Sequence, residues 1–151
     1  MSEEIEGVEV EEMKEHSDAR GWLLELWRSD ERCAAMGYVS ATLPGVGRGP
    51  HEHVEQTDVF VFPAMGQFQV KLWDARKDSP TCGNSMTINA DEKACVRVVV
   101  PPGVVHGYKN VSDSLNGLVF NFPDRLFAGW AKEEPVDEIR HEGVEGSPYI
   151  L

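Results

Sequence analysis

Cysteine is scarce in this sequence, and the three cysteines that occur lie far apart. Cys33, Cys82 and Cys95 form no C-x-x-C pair, so neither a zinc ribbon nor a dithiol redox site is indicated. Nothing in the sequence around them marks an activated thiol. We therefore expect three reduced, packed side chains and no cysteine chemistry.

Long apolar runs are also missing. No stretch approaches the ~20 residues that span a bilayer, and the acidic start at residues 1–6 is unlike a signal or transit peptide. These absences predict a cytoplasmic protein. A chain of 151 residues with 41% hydrophobic content predicts one domain over residues 1–151, with an N-terminal strand or arm at 1–16 and a tail at 131–151.

Basic residues are the minority among the charges. Fourteen Lys and Arg stand against 26 Asp and Glu, which gives a formal net charge of −12. That field repels polyanions, so we expect neither nucleic acid nor an anionic membrane surface as a partner. An anionic small molecule would need a local group of arginines that acts against the overall charge.

Short β-branched and aromatic runs, separated by Gly, Pro, Asn and Asp, are what the sequence has in quantity. The predicted strands are 8–13, 22–27, 36–43, 58–62, 67–73, 87–88, 96–100, 104–109 and 117–122. This spacing is typical of an all-β sandwich or barrel. Only residues 123–130 favour a helical turn or two, and we expect the acidic tail after them to lie over the surface or to be partly loose.

Three of the five histidines lie in two segments about fifty residues apart. His51 and His53 are two residues apart, a spacing that directs both side chains to one face of a strand. His106 and Tyr108 repeat this spacing. Imidazole titrates nearest neutral pH and is the commonest metal ligand. If the segments converge inside a barrel, they form either a proton-transfer site or a metal site.

The two histidine segments resemble the two motifs of the cupin family. The first motif, G-x5-H-x-H-x3,4-E-x6-G, is matched by Gly45, His51, His53 and Gly66, with Asp58 in place of the glutamate. The second, G-x5-P-x-G-x2-H-x3-N, is matched by Pro101, Gly103, His106 and Asn110, with Cys95 in place of the leading glycine. The resemblance implies a jelly-roll β-barrel of two antiparallel sheets with a short C-terminal helical turn.

A narrower resemblance extends from about residue 18 to about residue 127. Residues 18–25 are similar to the D-x-R-G-x-x-x-E opening of the dTDP-4-dehydrorhamnose 3,5-epimerase family, and 48–51 to its R-G-x-H. Residues 74–83 resemble its D-x-R…S-P-T-x-G hairpin, and 101–108 its P-x-G-x-x-H-G-[FY]. The Ser-Pro-Thr element and the Arg-Gly-x-His segment together are specific to this family rather than to cupins in general.

The resemblance implies a reaction and a set of roles. Family members remove a proton next to the ketone of a 4-keto-6-deoxy sugar nucleotide and return one on the opposite face. By resemblance the base is His51, the substrate-binding residues are Arg20, Arg48 and Glu25, and His106 hydrogen-bonds the sugar. The resemblance also implies a homodimer with strands shared across the interface, and no cofactor.

The sequence departs from the family at the acid and at the C-terminus. The family's tyrosine acid lies in the strand after the second histidine, where Phe120 stands here with no proton to donate. Tyr38 and Tyr108 are candidate replacements because both lie on predicted barrel strands. The family's C-terminal aspartate, which orients the base, has no clear match in the tail.

A third departure raises a metal. The family has one histidine in its R-G-x-H segment and binds no metal, whereas His53 here restores H-x-H. His51, His53, Asp58 and His106 would offer three imidazoles and one carboxylate, a set that suits a divalent transition metal. The leading hypothesis is a nucleotide-sugar epimerase or isomerase. The alternatives are a metal-dependent cupin, dioxygenase or isomerase, and a cupin that binds a sugar or nucleotide without turnover.

Structural explanations compete with several of these roles. His53 could equally pair with Glu55 or Asp58 without holding a metal. Arg20 and Arg48 could pair with carboxylates of this acidic chain. The remaining histidines, His16 and His141, are expected at the surface.

Overall fold

Twelve short strands and one 3-10 turn make up the regular structure of residues 3–151, the part of the chain that this computed structural model describes. The strands are β1 (Glu9–Met13), β2 (Glu15–Asp18), β3 (Gly21–Leu24), β4 (Tyr38–Thr42), β5 (Gly47–Glu52), β6 (Asp58–Phe62), β7 (Phe68–Asp74), β8 (Ser85–Ala90), β9 (Cys95–Val100), β10 (Val104–Asn110), β11 (Gly117–Asn121) and β12 (Ile139–Arg140). The 3-10 turn is Trp130–Lys132.

The strands form two five-stranded antiparallel sheets and a separate hairpin. One sheet has the order β1-β9-β6-β11-β4, the other β12-β5-β10-β7-β8, and β2 pairs only with β3. Their inner faces bury a common apolar core of aromatic and β-branched side chains, which include Phe60, Phe62, Phe68, Val70, Leu72, Val98, Val100, Val104, Tyr108 and Val119. The all-β cupin prediction is therefore confirmed.

Strand β6 divides the interior into an apolar and a polar end. All five of its residues are buried because β9 and β11 flank it on both sides. Asp58, Phe60 and Phe62 share the inner face by the two-residue alternation of a strand. The phenylalanines continue into the core, whereas Asp58 begins the polar end, where the histidines lie.

The pairing of β5 with β10 brings the two histidine segments side by side. His106 lies opposite His51, with an irregularity in the register between His106 and Tyr108. Gly49 has φ +84°, and a Cβ at this position would lie 2.8 Å from the His106 carbonyl oxygen. The close approach of the two strands thus depends on glycine at position 49.

The structure corrects three local predictions. The short C-terminal helical turn is present but lies later than the predicted 123–130, because Ala128 and Gly129 have φ of 55° and 69° and the 3-10 turn begins only at Trp130. Strands β2, β5 and β12 were not predicted, and β3 ends at Leu24 instead of residue 27. Cys95 is buried as expected, whereas Cys33 and Cys82 are exposed.

The tail lies over the surface as predicted, but several contacts hold it in place. Its strand β12 pairs with β5, and the Ile150 carbonyl accepts a hydrogen bond from Lys71 Nζ at 3.1 Å. His141, expected at the surface, is largely buried, with Nε2 2.9 Å from Glu52 Oε1. Within residues 3–151, no helix is both long and apolar enough to cross a membrane.

Candidate active site

Four predicted site residues converge at the polar end of the barrel: His51, His53, Asp58 and His106. The ring centroid of His51 lies 4.6 Å from that of His106 and 5.2 Å from that of His53. One potential ligand atom from each residue lies within 4.8 Å of the others. The structure therefore brings together side chains from β5, the following loop, β6 and β10.

The Asp58 carboxylate is the buried centre of this cluster. Its Oδ1 accepts hydrogen bonds of 2.9 Å from the side-chain amides of Gln56 and Asn121. Its Oδ2 lies 3.0 Å from His53 Nε2 and 3.2 Å from His106 Nε2, aligned for a hydrogen bond with neither. Burial opposes ionisation, but contacts with His106 and then His53 outweigh it and hold the pKa of Asp58 well below its usual range.

His53 is fixed by an acceptor at each ring nitrogen. Its Nδ1 donates a hydrogen bond to the backbone carbonyl of Asp137, and its Nε2 faces Asp58. Burial alone would lower the pKa of His53, but the close contact with the Asp58 carboxylate and the charge of that group outweigh burial and raise that pKa. The ring therefore lies between a backbone carbonyl and a carboxylate, and the Gln56 amide nitrogen also lies 3.3 Å from Nε2.

His106 is almost fully buried, with Nδ1 2.9 Å from the Val104 carbonyl oxygen of its own strand. A carbonyl can only accept, so Nδ1 carries a hydrogen. The opposite nitrogen, Nε2, faces the carboxylate of Asp58. The ring of His106 is therefore held by its own strand through Nδ1 and contacts Asp58 through Nε2.

His51 lines a cavity, as His53 does, but unlike His53 and His106 it does not contact Asp58 within ion-pair distance. Burial, followed by the charges of His106 and His53, lowers the pKa of His51 to about 3. The imidazole is thus neutral near pH 7 and has a lone pair available. Its Nδ1 lies 3.6 Å from Glu138 Oε1.

The C-terminal tail supplies two acidic residues to the site. Asp137 accepts hydrogen bonds of 2.8, 2.9 and 2.9 Å from the backbone N–H groups of residues 54, 55 and 56. Glu138 approaches His51 and pairs with Arg140 Nε at 3.0 Å. The sequence motifs gave no signal for either residue, because both lie in an acidic tail without a recognised pattern.

Tyr38 lines the same cavity as His51. Its hydroxyl oxygen accepts a hydrogen bond of 3.0 Å from Asn121 Nδ2. Partial burial raises the pKa of Tyr38, so the phenol keeps its proton near neutral pH. A neutral base and a protonated phenol therefore line one cavity.

The inward position of β11 belongs to Asn121, not to Phe120. Asn121 lies opposite Phe60 in the pairing with β6, on the inner face, whereas Phe120 lies opposite Val61 and alternates to the outer face. The sequence comparison placed Phe120 at the position of the family's catalytic tyrosine. Because Phe120 faces outward, it does not take that place inside the barrel. Asn121 went unrecognised because it occurs in no motif.

Tyr108 packs into the apolar core. Its ring centroid lies 5.8, 5.7 and 5.6 Å from those of Phe60, Phe62 and Phe68. Its hydroxyl is 3.2 Å from Ser40 Oγ, and the ring is 6% exposed. This environment separates Tyr108 from the cavity that His51 and Tyr38 line.

The cavity has a volume of about 1210 Å³, which exceeds the ~300–1,000 Å³ of common ligand pockets. Its inner wall carries His51, His53, Tyr38 and Gln56, and its outer wall is formed by the segment after β11 and by the tail. Trp130 stands on the outer wall with 79% of its surface exposed. The cavity has room for a ligand larger than a single sugar.

The residues predicted to hold a nucleotide lie away from this cavity. Arg20 is at the tip of the β2–β3 hairpin, paired with Asp18 at 2.5 Å, and Glu25 is exposed just after the hairpin. Arg48 hydrogen-bonds Thr42 Oγ1 and the Ala41 carbonyl oxygen, each at 2.9 Å. Within one chain, these three residues do not join His51.

Comparisons with known proteins agree on a family. The family model described as dTDP-4-dehydrorhamnose 3,5-epimerase matches residues 2–121. Agl13 of Haloferax volcanii, a probable low-salt glycan biosynthesis epimerase, is 38% identical over 128 residues, which are 82% of this chain and 81% of that protein. The spore coat polysaccharide biosynthesis protein SpsL of Bacillus subtilis is 36% identical over 119 residues, 77% of this chain and 78% of that protein.

The fold comparison agrees with the sequence comparisons. The crystal structure of a dTDP sugar isomerase from Desulfovibrio desulfuricans G20 superposes with a TM-score of 0.81 at 23% identity. The superposition covers 97% of this chain and 91% of that chain. The fold match thus extends over the tail, which lies beyond the residues matched by the family model.

Proposed function

The chain belongs to the dTDP-4-dehydrorhamnose 3,5-epimerase family, and we propose that it epimerises a 4-keto-6-deoxy sugar carried on a nucleoside diphosphate. It is an enzyme of the epimerase type. The observation that supports this substrate chemistry best is the pairing of neutral His51 with protonated Tyr38 on one cavity. Those are the two protonation states that abstraction and return of a proton require.

We propose His51 as the base. Its lone pair takes the proton from the carbon next to the ketone, and the electron pair of that C–H bond moves into an enolate. Protonation gives His51 a positive charge, and Glu138 at 3.6 Å is placed to balance it. Glu138 thereby takes the orienting role that the resemblance assigns to a C-terminal aspartate.

The enolate needs positive charge nearby. His53 lines the cavity, and although burial favours its neutral form, the contact with Asp58 raises its pKa and so favours the imidazolium. Fixed positive charge in a site with little water stabilises an anionic intermediate more than it stabilises the ketone. We propose that His53 supplies this charge and that His106 acts through Asp58, which it contacts directly.

We propose Tyr38 as the acid that returns a proton to the opposite face of the sugar. Its hydroxyl oxygen accepts from Asn121, so its proton stays free for the ligand. Tyr108, the other candidate, is enclosed by three phenylalanines and hydrogen-bonds Ser40. The choice between the two tyrosines therefore favours Tyr38.

We further propose a homodimer in which a second copy's β2–β3 hairpin completes the nucleotide site. The hairpin exposes Trp22 at 52% and Leu23 at 64%, and the outer face of β4 exposes Val39 at 54%. A two-stranded hairpin with an apolar surface is marginal alone and gains stability from packing. Arg20 lies on this hairpin and Glu25 just after it. Packing of the hairpin against a second copy of the chain would therefore carry both residues toward the cavity of that copy.

One observation favours a metal-dependent alternative. Asp58 Oδ2 and His106 Nε2 are buried and lack aligned hydrogen bonds, and the Nδ1 atoms of His53 and His106 contact carbonyls, which leaves Nε2 as the ligand atom. The four-residue cluster thus fits a divalent transition metal, which would supply Lewis-acid chemistry when bound. The epimerase family itself acts without a metal cofactor.

Isotope exchange separates these functions. The tag-free protein is incubated in D2O with a 4-keto-6-deoxy sugar nucleotide, and deuterium at C3 and C5 is followed by mass spectrometry and NMR. An epimerase incorporates deuterium with or without a chelator. Exchange that disappears on chelation, with a stoichiometric first-row metal in the protein, would favour the metal-dependent alternative. Measurable nucleotide binding without exchange would favour a binding protein.

A further inference from the structure

Asn121 occupies the junction between the proposed acid and the buried carboxylate. It is 1% exposed and lies opposite Tyr38 on β4 and opposite Phe60 on β6. Its Oδ1 accepts a hydrogen bond of 3.1 Å from the Val59 backbone N–H. A backbone N–H can only donate, so this contact fixes which end of the amide is oxygen.

The fixed amide has two donors, and both are used. Nδ2 donates to Asp58 Oδ1 at 2.9 Å and to the Tyr38 hydroxyl oxygen at 3.0 Å. Because the Tyr38 oxygen acts as the acceptor, the phenolic proton cannot also point at Asn121. In the part of the chain that the structure describes, this is the one hydrogen bond of the Tyr38 hydroxyl, and the ring borders the cavity.

We infer that Asn121 is a positioning residue that directs the Tyr38 proton into the cavity and couples Tyr38 to the buried Asp58. The inference rests on the proposed role of Tyr38 as the acid. The amide is essential to it because a carboxylate at the same position would accept from Tyr38 and turn the proton away from the ligand. A leucine of similar size would leave the Tyr38 oxygen without its donor and remove one of the two donors to Asp58 Oδ1.

The isosteric variant Asn121→Asp tests this role through two separate readouts. Deuterium exchange at the carbon that His51 serves needs only the base, whereas inverted product also needs the acid. We expect exchange to stay within about three-fold of wild type and inverted product to fall about 10²-fold, the lower end of what a general acid contributes. The double variant with Tyr38→Phe should lose no more product than Tyr38→Phe alone.

Other outcomes overturn the inference. An equal loss of exchange and product would make Asn121 a support for Asp58 only, and unchanged product would remove its link to the acid. Additive losses in the double variant would show that the two residues act independently. In each variant, two-dimensional amide NMR checks that the fold is kept.

A second measurement does not depend on any substrate. Titration of ¹³C-labelled tyrosine in the free protein reports the pKa of Tyr38. Burial raises this pKa and the Asn121 donor lowers it, while the charges of Asp58, Tyr108 and Arg48 contribute less. Asn121→Leu should raise this pKa by about one unit, about 1.4 kcal/mol. Ser40 lies on the same strand as Tyr38 but hydrogen-bonds Tyr108. Ser40→Ala should therefore leave the pKa of Tyr38 unchanged.

The two experiments fail in different ways. If the wild-type protein exchanges no deuterium with any sugar nucleotide, the proposed function fails, while the titration still reports the contact. If exchange and inversion occur and Asn121→Leu does not change the titration of Tyr38, the inference about Asn121 is wrong and the epimerase proposal stands.

Discussion

At the residue scale, the site separates three histidines by their surroundings. Asp58 attracts His53 and His106, so its charge is shared between two imidazoles. His51 lies beside the same pair but does not contact Asp58, and burial, followed by the charges of that pair, disfavours its protonation. The pKa of His51 is thus lowered and that of His53 raised, although both side chains line the same cavity.

The low pKa of His51 predicts an unusual pH profile. Its folded-state pKa of about 3 means that the base stays unprotonated over the whole neutral range. The rate of deuterium exchange should therefore not fall through protonation of His51 between pH ~8 and pH ~5, the range in which an ordinary histidine becomes protonated. A profile that falls with an apparent pKa near 6.5 would contradict this assignment of His51.

The buried carboxylate has a linked effect on stability. The lowered pKa of Asp58 stabilises the folded state at pH values above the pKa of this carboxyl in the unfolded chain. This stabilisation is lost as the pH falls through the folded-state pKa. The raised pKa of His53 stabilises the folded state at pH values below the pKa of this imidazole in the unfolded chain. This stabilisation is lost as the pH rises through the folded-state pKa.

Asp58→Asn should therefore lower the free energy of unfolding most between pH ~4 and pH ~6.5. We expect a loss of about 3 kcal/mol there, because a charged imidazole remains buried without its partner. Urea denaturation of both proteins across this range measures the difference. Asp91→Asn, which removes the charge of a half-exposed carboxylate near Lys93, should change little. An equal effect of Asp58→Asn at all pH values would contradict the linkage.

At the element scale, the tail and β5 form one unit around the site. Strand β12 pairs Arg140 with His51, and Asp137 binds three consecutive backbone N–H groups of the loop after β5. The tail therefore holds the loop that carries His53 and also brings Glu138 to His51, the proposed base. It is part of the active-site wall even though the matched family region ends before it.

Removal of Asp137 should loosen this unit. Asp137→Ala leaves three backbone donors without their acceptor, and we expect a loss of about 2 kcal/mol in the free energy of unfolding. Hydrogen exchange at residues 54–56 should become faster than in the wild type. Glu145→Ala, in an exposed turn of the same tail, serves as the control. Unchanged exchange at residues 54–56 would show that Asp137 does not hold the loop.

The resemblance to the two cupin motifs was sufficient to predict the convergence of His51 and His106, because it implies one barrel to which both segments contribute. It could not predict Asp137, whose carbonyl contacts a ring 84 residues earlier in the chain, or Asn121, which reaches Tyr38 across 83 residues. Such pairs depend on which strands become neighbours, and local spacing does not encode that. The position of Phe120 was misjudged for a related reason, since a shift of one residue reverses the face of a strand.

At the scale of the whole molecule, the proposed function requires an acidic chain to bind an anionic nucleotide. The predicted arginines do not reach the cavity of their own chain, and the β2–β3 hairpin, with Arg20 at its tip, exposes large apolar side chains. The proposed dimer would account for both features at once, because packing of the hairpin on a second copy would cover its apolar surface and move its charges.

This arrangement predicts that dimerisation and nucleotide binding are lost together. Trp22→Asp combined with Leu23→Asp should give a monomer by light scattering and weaken binding of a nucleoside diphosphate at least about ten-fold. The matched pair Val144→Asp and Ile150→Asp, at other exposed apolar positions, should keep the dimer. A monomeric wild-type protein that binds the nucleotide normally would contradict the arrangement.

The most direct test of the whole account is deuterium exchange into a 4-keto-6-deoxy sugar nucleotide by His51→Asn and His141→Asn, measured beside the wild type at neutral pH. His141 lies outside the cavity and contacts Glu52, so its variant controls for loss of an imidazole. We predict wild-type exchange in His141→Asn and a loss of at least about 10²-fold in His51→Asn. Full exchange in His51→Asn would contradict the account, because the proton would then be removed by another group.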